Sequence, residues 1–413
     1  MNERSKTIVF ILVAVIAVAF LSFYAARRPV DYPVYRATAR TMLAGSGPLY
    51  GPTSGTGWPQ VYRYPPLFLI LFIPFALLSL KTGAALFAAL KFVALFYLER
   101  ELFLRLDLKP KWLRFLAFLP ALPYLALEFH YGNAEFLIFA LTAACLLWIE
   151  ERPVAASLAL ALGISIKVWP LFFLPYLAAK RRGREVAMTL AFTVLLTVLP
   201  AGYFGWHRNT ELLGQWANQE FGVAADAGEP GIVGFPSQSL HSVMMRYLVS
   251  LDYSRLPDPN YPRYNFATMN ARVVESTWML LAALGYAGLL LLAYQSGESE
   301  TLTVDAIALC SLLILEPFTQ SGDLVLLLWP IAVAVAALRK DHALPDWARG
   351  ALYAALFFMV AKPLLPTAAL HRSLQVLGAD FWETSLLCLG LLGKYWADAR
   401  AARRLEREAP VAA

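Results

Sequence analysis

The segment "VYRYPPL", residues 61–67, combines residue types that bind phosphorylated sugars. An arginine guanidinium can hold a phosphate through two parallel hydrogen bonds, so Arg63 is a candidate phosphate ligand. Tyr62 and Tyr64 flank it and could stack on a sugar face. The alternative is that all three belong to the belt of aromatic and basic residues found at membrane interfaces. The double proline that follows predicts an extended backbone.

A second polar stretch, "RPVDYPVYRA", begins directly after the first apolar run. Amphipathic spacing over residues 34–43, followed by Gly45-Ser46-Gly47, predicts a helix lying flat at the membrane surface. Such a helix would hold Asp31 over a pocket at its start. The competing interpretation makes Asp31 an N-cap with a solvated ion pair to Arg27 or Arg28. The polar side chains nearest to Asp31 in this stretch are Tyr32, Tyr35, Arg36 and Arg40.

Two further charged positions interrupt apolar segments. Lys167 ends the stretch "ASLALALGIS" and precedes "VWPLFFLP", where lipid cannot solvate an ammonium group, so we expect it to face a cavity or a counter-ion. Snorkelling of Lys167 to the lipid headgroups is the alternative. "HYGNAEF" places Asn133 and Glu135 at the end of two apolar helices, where Glu135 could also favour only the helix dipole.

The longest polar segment contains "GFPSQSLHSVMMRYL", residues 234–248. From Ser237 onward this pattern predicts a capped helix with His241 one turn later. Its side chains Gln238 and Arg246 are available for polar contacts. Neighbouring aromatic and polar runs suit a sugar or an amphiphilic acceptor, and an unstructured connector fits the composition equally well.

Composition predicts a multi-spanning membrane protein. Of 413 residues, 59% are hydrophobic and 15% are charged. The net charge of +6 does not indicate nucleic-acid binding, because the lysines and arginines cluster in short loops between apolar runs. Cys145, Cys310 and Cys388 lie inside apolar runs without CxxC spacing, which predicts neither a disulfide nor a metal site.

Hydropathy and loop charge together predict the topology. Segment 66–80 is short, begins with Pro65-Pro66 and contains Pro74, so we expect it to be re-entrant or juxtamembrane rather than a span. The basic loops then place both termini inside and Asp31, Lys167 and the loop 204–270 outside. An uncleaved first helix is favoured over a signal peptide. The thirteen apolar segments, twelve of them predicted spans, are 7–26, 66–80, 83–98, 114–128, 134–149, 154–167, 170–179, 185–203, 271–294, 303–315, 324–338, 350–366 and 381–397.

The order of these motifs resembles glycosyltransferase family 87, membrane-embedded GT-C enzymes that include polyprenyl-phosphate-mannose-dependent mannosyltransferases. The resemblance is carried by the aspartate after the first span, "VYRATARTMLAGSGPLY", "YRYPPL", "GN", "GISIKVWPLFFLPYLAAKRR" and "QSL", over about residues 25–250. It implies an all-α polytopic GT-C fold with about twelve transmembrane helices and outer juxtamembrane helices. We expect one domain: a module of about 1–203, the outer loop 204–270, variable helices 271–397 and a cytoplasmic tail 398–413.

The resemblance also implies a reaction. A hexose, most simply mannose, would pass from a polyprenyl-phosphate donor to a glycolipid or glycan acceptor at the outer face of the cell membrane, with inversion. Asp31 would be the base, and Lys167, Gln238 and Ser239 would belong to the donor site. Arg63 and Arg246 could add positive charge for the departing phosphate. No metal or other cofactor is expected.

One turn departs from the family pattern, and one other class of function stays open. Relatives carry a tryptophan and paired histidines where this chain has "EPFTQSGD", with Gln320, Gly322 and Asp323. A transporter or lipid flippase is the alternative function, although the sequence shows no inverted halves.

Overall fold

The computed structural model describes residues 15–57, 59–225, 237–251, 262–297, 300–340 and 344–408, with side chains left out at 221–225, 340 and 402–408. Within these ranges the regular structure is entirely helical, as the sequence predicts. The chain divides into two compact units. The first comprises described residues within 1–100, 125–171 and 184–224, and the second those within 101–124, 172–183 and 225–413.

Helices α1 to α12 run from the first apolar segment into the long polar loop, and a 3-10 turn at Trp169–Phe172 lies between α8 and α9. Their bounds are α1 Val15–Ala25, α2 Tyr32–Ala44, α3 Pro66–Ala76, α4 Leu80–Arg105, α5 Lys111–Phe118, α6 Leu122–Tyr131, α7 Glu135–Trp148, α8 Pro153–Ile166, α9 Phe173–Ala179, α10 Gly183–Val198, α11 Ala201–Phe204 and α12 Trp206–Ala225.

Helices α13 to α19 belong to the second unit. Short 3-10 turns at Asp323–Leu327 and Lys362–Leu364 precede α16 and follow α17. The bounds are α13 Leu240–Leu248, α14 Ala271–Gln295, α15 Thr301–Leu315, α16 Leu328–Lys340, α17 Asp346–Ala361, α18 Ala368–Val376 and α19 Ala379–Glu408.

The predicted amphipathic helix after the first apolar run is confirmed as α2. Pro33 pre-sets the backbone at its start, and Gly45 ends it in the left-handed region at φ 62°, donating its N–H to Met42 O at 3.1 Å. Tyr32 and Tyr35 lie on its buried face, in contact with aromatic rings of α3 and α4. The observed helix extends the predicted range by two residues at the start and one at the end.

Helix α3 covers the segment predicted to be re-entrant or juxtamembrane. Its 11 residues give a length of about 16 Å, well short of the roughly 30 Å of a bilayer core. Two arginines of α2 bind carbonyls at and just after its end: Arg36 donates to Leu78 O at 2.9 and 3.1 Å, and Arg40 donates to Ala76 O at 3.0 Å. These arginines therefore tie α2 to the end of α3.

Helix length supports a membrane protein with fewer long spans than predicted. Three described segments, Leu80–Arg105, Gly183–Phe204 and Ala271–Gln295, are long and apolar enough to cross a bilayer. The count rises to five if the pairs α5 with α6 and α18 with α19, bent by 62° and 59°, each form one span. Other predicted spans are shorter helices, such as α7 and α8 with 14 residues each. The predicted twelve spans are thus not confirmed.

The described part of the long polar loop contains regular helices and is not an unstructured connector. These helices are α12 and α13. The cap of α13 differs from the prediction, because Ser239 rather than Ser237 is the N-cap and accepts the N–H of Ser242. Part of the quoted segment, 234–236, lies outside the described residues.

Candidate functional site

Asp31 stands at the start of α2, where its backbone is held by a turn after α6. Tyr131 O accepts the N–H groups of both Val30 and Asp31, each at 2.9 Å. The turn needs a glycine at 132, since its φ is +70° and a Cβ there would lie 2.8 Å from Tyr32 Cβ. Thus the backbone around Asp31 is fixed by a close approach of residues about 100 positions away along the chain.

The carboxyl group of Asp31 is not used for capping or for the predicted ion pair. It accepts no capping hydrogen bond at the start of α2. In the described part of the chain no salt bridge joins it to Arg27 or Arg28, and the Arg27 guanidinium instead lies 5.0 Å from the centre of the Tyr24 ring. Burial raises the pKa of Asp31 to about 6, while the positive charges of Lys167 and Lys91 oppose the rise. Such a carboxyl group can accept a proton near neutral pH.

A buried ion pair that the sequence reasoning missed supports the same turn. Lys91 and Glu128 are each 0% exposed and 2.9 Å apart. Lys91 Nζ also donates to Glu128 O at 3.2 Å and to Asn133 O at 2.9 Å. Both residues fall within or at the end of predicted apolar segments, 83–98 and 114–128. The available signal was a charge in an apolar setting, which is costly unless paired: Lys91 is the single charge of segment 83–98, and Glu128 ends segment 114–128, whose other charge is Arg114 at its start.

Asn133, Tyr35 and Tyr64 form a hydrogen-bonded cluster. The two hydroxyl oxygens lie 3.0 Å apart, and they are 3.2 and 3.1 Å from Asn133 Oδ1, which also accepts the N–H of Ala134. Burial raises the pKa of both tyrosines, so their hydroxyls stay protonated. The cluster therefore fixes the orientation of the Asn133 amide.

Lys167 has the counter-ion that the sequence required. It forms an ion pair with Glu135, which is buried at the start of α7. Trp169 Nε1 donates to the other carboxylate oxygen of Glu135 at 3.0 Å. The Lys167 side chain is 41% exposed, so it can reach both Glu135 and a ligand or headgroup. Two of the predicted candidates, Lys167 and Glu135, are therefore direct partners.

The three residues of "YRY" differ in their exposure. Tyr62 is fully buried, donates to Pro65 O at 3.2 Å and packs against Tyr50 and Tyr64. Its ring packs against protein in this structure, and stacking of Tyr62 on a sugar stays a prediction. Tyr64 is also buried.

Arg63 is the accessible member of that segment. Its side chain is partly exposed, and its backbone carbonyl accepts the indole N–H of Trp216 at 3.1 Å. Gln219 donates to Tyr62 O at 2.7 Å, so α12 binds the backbone carbonyls of both Tyr62 and Arg63. Burial raises the pKa of Glu220, and the positive charge of Arg63 partly opposes that rise. Arg63 is therefore near enough to Glu220 of α12 for the two charges to interact.

The remaining candidates belong to the second unit, where they hold backbone groups. Ser239 Oγ donates to Pro317 O at 2.9 Å, and His241 Nδ1 lies 3.1 Å from the same oxygen. Burial lowers the pKa of His241, which favours its neutral form. Gln238 Nε2 donates to Gln375 O at 2.9 Å, and Arg246 donates to Val376 O at 2.9 Å. These side chains join α13 to the turn after α15 and to the end of α18.

Asp323 closes the turn in which the family pattern differs. One of its carboxylate oxygens accepts the N–H of Gln320 at 2.7 Å. This contact stabilises a tight turn before the 3-10 segment Asp323–Leu327.

Two further buried ion clusters of the second unit were also missed. Lys180 pairs with Asp305 at 3.0 Å, and Tyr176 donates to the same carboxylate at 2.5 Å. The other cluster joins four side chains: Tyr124, Lys362, Asp380 and Glu383.

The fold and the charged residues buried among apolar helices define an all-helical membrane protein. A family model of glycosyltransferase family 87 matches residues 62–317. The chain belongs to glycosyltransferase family 87. The matched range includes Arg63, Asn133, Glu135, Lys167 and the "QSL" segment, whereas Asp31 precedes it.

Two curated relatives carry the same name, polyprenol-phosphate-mannose-dependent alpha-(1-2)-phosphatidylinositol mannoside mannosyltransferase. The chain is 29% identical over 191 residues to the protein of Mycobacterium tuberculosis, covering 41% of this chain and 44% of the relative. It is 30% identical over 205 residues to that of Mycolicibacterium smegmatis, covering 44% and 45%. The chain thus matches less than half of each relative's length. A solved structure, ArnT from Cupriavidus metallidurans bound to undecaprenyl phosphate, aligns with 98% of this chain and 81% of its own at a TM-score of 0.40 and 15% identity.

Proposed function

We propose that this chain transfers a hexose, mannose in the simplest case, from a polyprenyl-phosphate donor to a glycolipid or glycan acceptor, with Asp31 as the general base. The family assignment supports the reaction class. The names of the two curated relatives support the donor and the sugar, and their acceptor, a phosphatidylinositol mannoside, suggests a glycolipid. We further propose the GT-C fold, a site at the extracytoplasmic face of the cell membrane, and cytoplasmic termini.

The observation that carries the proposal is the state of Asp31. Its backbone is fixed by Tyr131 O, its carboxyl group makes no cap, and burial raises its pKa to about 6. A base with a pKa near the working pH combines an ionised fraction with a useful affinity for the proton. An ordinary exposed aspartate would be a much weaker base.

The reaction follows from these groups. The acceptor hydroxyl oxygen forms a bond to the anomeric carbon, and its proton passes to Asp31. The bond between that carbon and the phosphate oxygen breaks on the opposite face, and its electron pair leaves with the polyprenyl phosphate. Attack opposite to the leaving group inverts the anomeric configuration. Because the phosphate is a weak base, it needs positive charge more than a proton, so one carboxylate is sufficient.

Arg63 and Lys167 are the cations that we propose for the departing phosphate. Both side chains are accessible in the first unit, Arg63 partly exposed and Lys167 exposed by 41%. The pairing of Lys167 with Glu135 holds the ammonium group in place. Within the cluster of Tyr35, Asn133 and Tyr64, the Asn133 NH₂ is the group that we propose for a hydrogen bond to the sugar or the acceptor, because both hydroxyls lie within bonding distance of the Asn133 amide oxygen.

The test is sugar transfer by the purified full-length protein in lipid nanodiscs. Donors with different labelled sugars on a polyprenyl phosphate would be offered with extracted glycolipids as acceptors. We expect transfer from the mannosyl donor. We also expect Asp31→Asn to lower the rate by about 10²- to 10⁴-fold, the usual contribution of a general base.

A matched control is Asp346→Asn, since the Asp346 side chain is 99% exposed at the start of α17. This variant should transfer sugar at the wild-type rate. Normal transfer by a folded Asp31→Asn protein would exclude Asp31 as the base. Failure of the wild-type protein with every labelled donor would exclude the proposed reaction.

A further inference from the structure

Lys91 is the charged side chain of α4 that lies deepest in the first unit. It occupies the middle of a 26-residue helix long and apolar enough to cross a membrane, and it is 0% exposed. Burying an ammonium group in such a helix is unfavourable unless its charge and its three donors are satisfied. A leucine or methionine would fill the same space more easily, so the lysine needs an explanation.

Each donor of Lys91 has an acceptor. Nζ lies 2.9 Å from Glu128 Oε2, 3.2 Å from Glu128 O and 2.9 Å from Asn133 O. The ammonium also lies 5.4 and 4.8 Å from the ring centres of Phe87 and Phe129, within range of a cation–π interaction. This geometry holds both ends of the short segment 128–133.

That segment carries the contact to Asp31. Between the two carbonyls that Lys91 binds lies Tyr131, whose carbonyl oxygen accepts the N–H groups of Val30 and Asp31. Glu128 uses its other carboxylate oxygen to accept the N–H of Phe136 at 3.0 Å, in the first turn of α7. The pair therefore joins α4, α6 and α7 at the point where the backbone of Asp31 is bound.

We propose that Lys91 is a positioning residue for Asp31: its ammonium group fixes the 128–133 segment that binds the Asp31 backbone, and its charge favours the ionised carboxylate. This inference rests on the proposed function, in which Asp31 is the base. Lys91 does not contact the reacting atoms in this assignment.

The charged groups that affect the pKa of Asp31 can be named. Two lysines lower the pKa of Asp31 against the effect of burial, Lys167 with the larger effect and Lys91 with the smaller. Lys167 is partly exposed, so solvent and a bound ligand can screen it, whereas Lys91 is enclosed and its charge is less screened. The titratable groups that interact with Asp31 are Lys91, Lys167, Glu128, Tyr35 and Tyr64.

The test compares Glu128→Gln with the double variant Lys91→Met/Glu128→Gln. The glutamine side chain preserves the shape of Glu128 and an acceptor for Phe136 N–H, and the two variants differ only at position 91. Both would be assayed over pH 5–8 for transfer of the labelled sugar. Relative to Glu128→Gln, we expect the double variant to have a kcat lower by about 100-fold with a donor KM within about threefold. The fall of kcat/KM at acidic pH, its acidic limb, should begin at higher pH, since removing a positive charge that faces Asp31 raises the pKa of its carboxyl group.

A control pair comes from the second unit. Lys180→Met/Asp305→Asn removes a lysine–carboxylate pair in which the carboxylate is buried and the lysine side chain is 15% exposed. It should leave the pH profile unchanged. Equal kcat and equal acidic limbs in Glu128→Gln and the double variant would overturn the role of Lys91.

The inference stays testable if the double variant does not fold. Glu128→Gln alone removes a negative charge that faces Asp31, so its acidic limb should lie at lower pH than that of the wild-type protein. An unchanged limb in that variant would overturn the electrostatic coupling. Both results are measured against an active wild-type protein. An inactive wild-type protein would exclude the proposed reaction, whereas an active one with unchanged variants would exclude only the role of Lys91.

Discussion

At the scale of single residues, Glu128 and Glu135 of the first unit are each paired with a lysine, whereas the Asp31 carboxyl group forms no salt bridge in the described part of the chain. Glu128 is bound by Lys91 and Phe136 N–H, and Glu135 by Lys167 and Trp169. Both glutamates are therefore held in structural contacts. The Asp31 carboxyl group, in contrast, makes no cap at the start of α2 and is surrounded by groups that tune its pKa.

The raised pKa of Asp31 predicts how transfer depends on pH. The base must be ionised, so kcat/KM should be level above pH 7 and should fall by about tenfold per pH unit below pH 6, where the carboxyl group binds a proton. The measurement is a pH profile of the transfer rate. The residual activity of the Asp31→Asn variant should not show this fall in kcat/KM below pH 6. A limb centred near the ordinary value of 3.8 would contradict the buried environment of Asp31.

At the scale of elements, the start of α2 is positioned by two kinds of backbone contact. Arg36 and Arg40 bind carbonyls at and just after the end of α3, and the turn after α6 binds the residues that precede α2. Arg36 and Arg40 are thus structural ties between α2 and the end of α3.

Substitution of Gly132 tests the contact between the turn after α6 and the start of α2. Gly132→Ala places a methyl group against Tyr32 Cβ and forces alanine into the left-handed region, so we expect a loss of about 1–3 kcal/mol in the free energy of unfolding. Transfer should fall as well, because Asp31 is displaced. Thermal unfolding of the detergent-solubilised protein and the transfer assay would measure both effects.

The control is Gly214→Ala within α12, where the new methyl group meets nothing within 4 Å. Alanine favours a helix over glycine by about 1 kcal/mol, so this variant should be as stable as wild type or more stable. A Gly132→Ala protein with wild-type stability and rate would show that the turn tolerates displacement.

At the scale of the whole molecule, the membrane topology is the main prediction still to be tested. The short length of α3 agrees with a segment that does not span, and the long α4 that follows reaches the basic segment near Arg105. Alkaline-phosphatase and green-fluorescent-protein fusions at residues 105 and 225 should report inside and outside, respectively. A fusion at 105 that reports outside would show that α3 spans the membrane.

Much of the architecture could be predicted from local patterns. The bounds of α2, its stop at Gly45, the shortness of the segment after "YRYPP" and the helical membrane class follow from spacing, glycine and proline positions, and hydropathy. The span count could not be predicted in the same way. Apolar segments of 10–17 residues occur both as spans and as helices buried in protein, and hydropathy does not separate the two.

The sequence by itself determined that this is an apolar helical protein with an aspartate after its first helix, and its motifs indicated the family. Only the tertiary structure decided which charges are partners. Lys91 and Glu128 are 37 residues apart, Glu135 and Lys167 are 32 apart, and Tyr35 and Asn133 are 98 apart. A charge in an apolar segment shows that a partner is required, because an unpaired one is too costly there. Which helix supplies that partner depends on packing between distant segments. In the described part of the chain, that packing pairs Glu128 and Glu135 with lysines and gives the Asp31 carboxyl group no salt bridge.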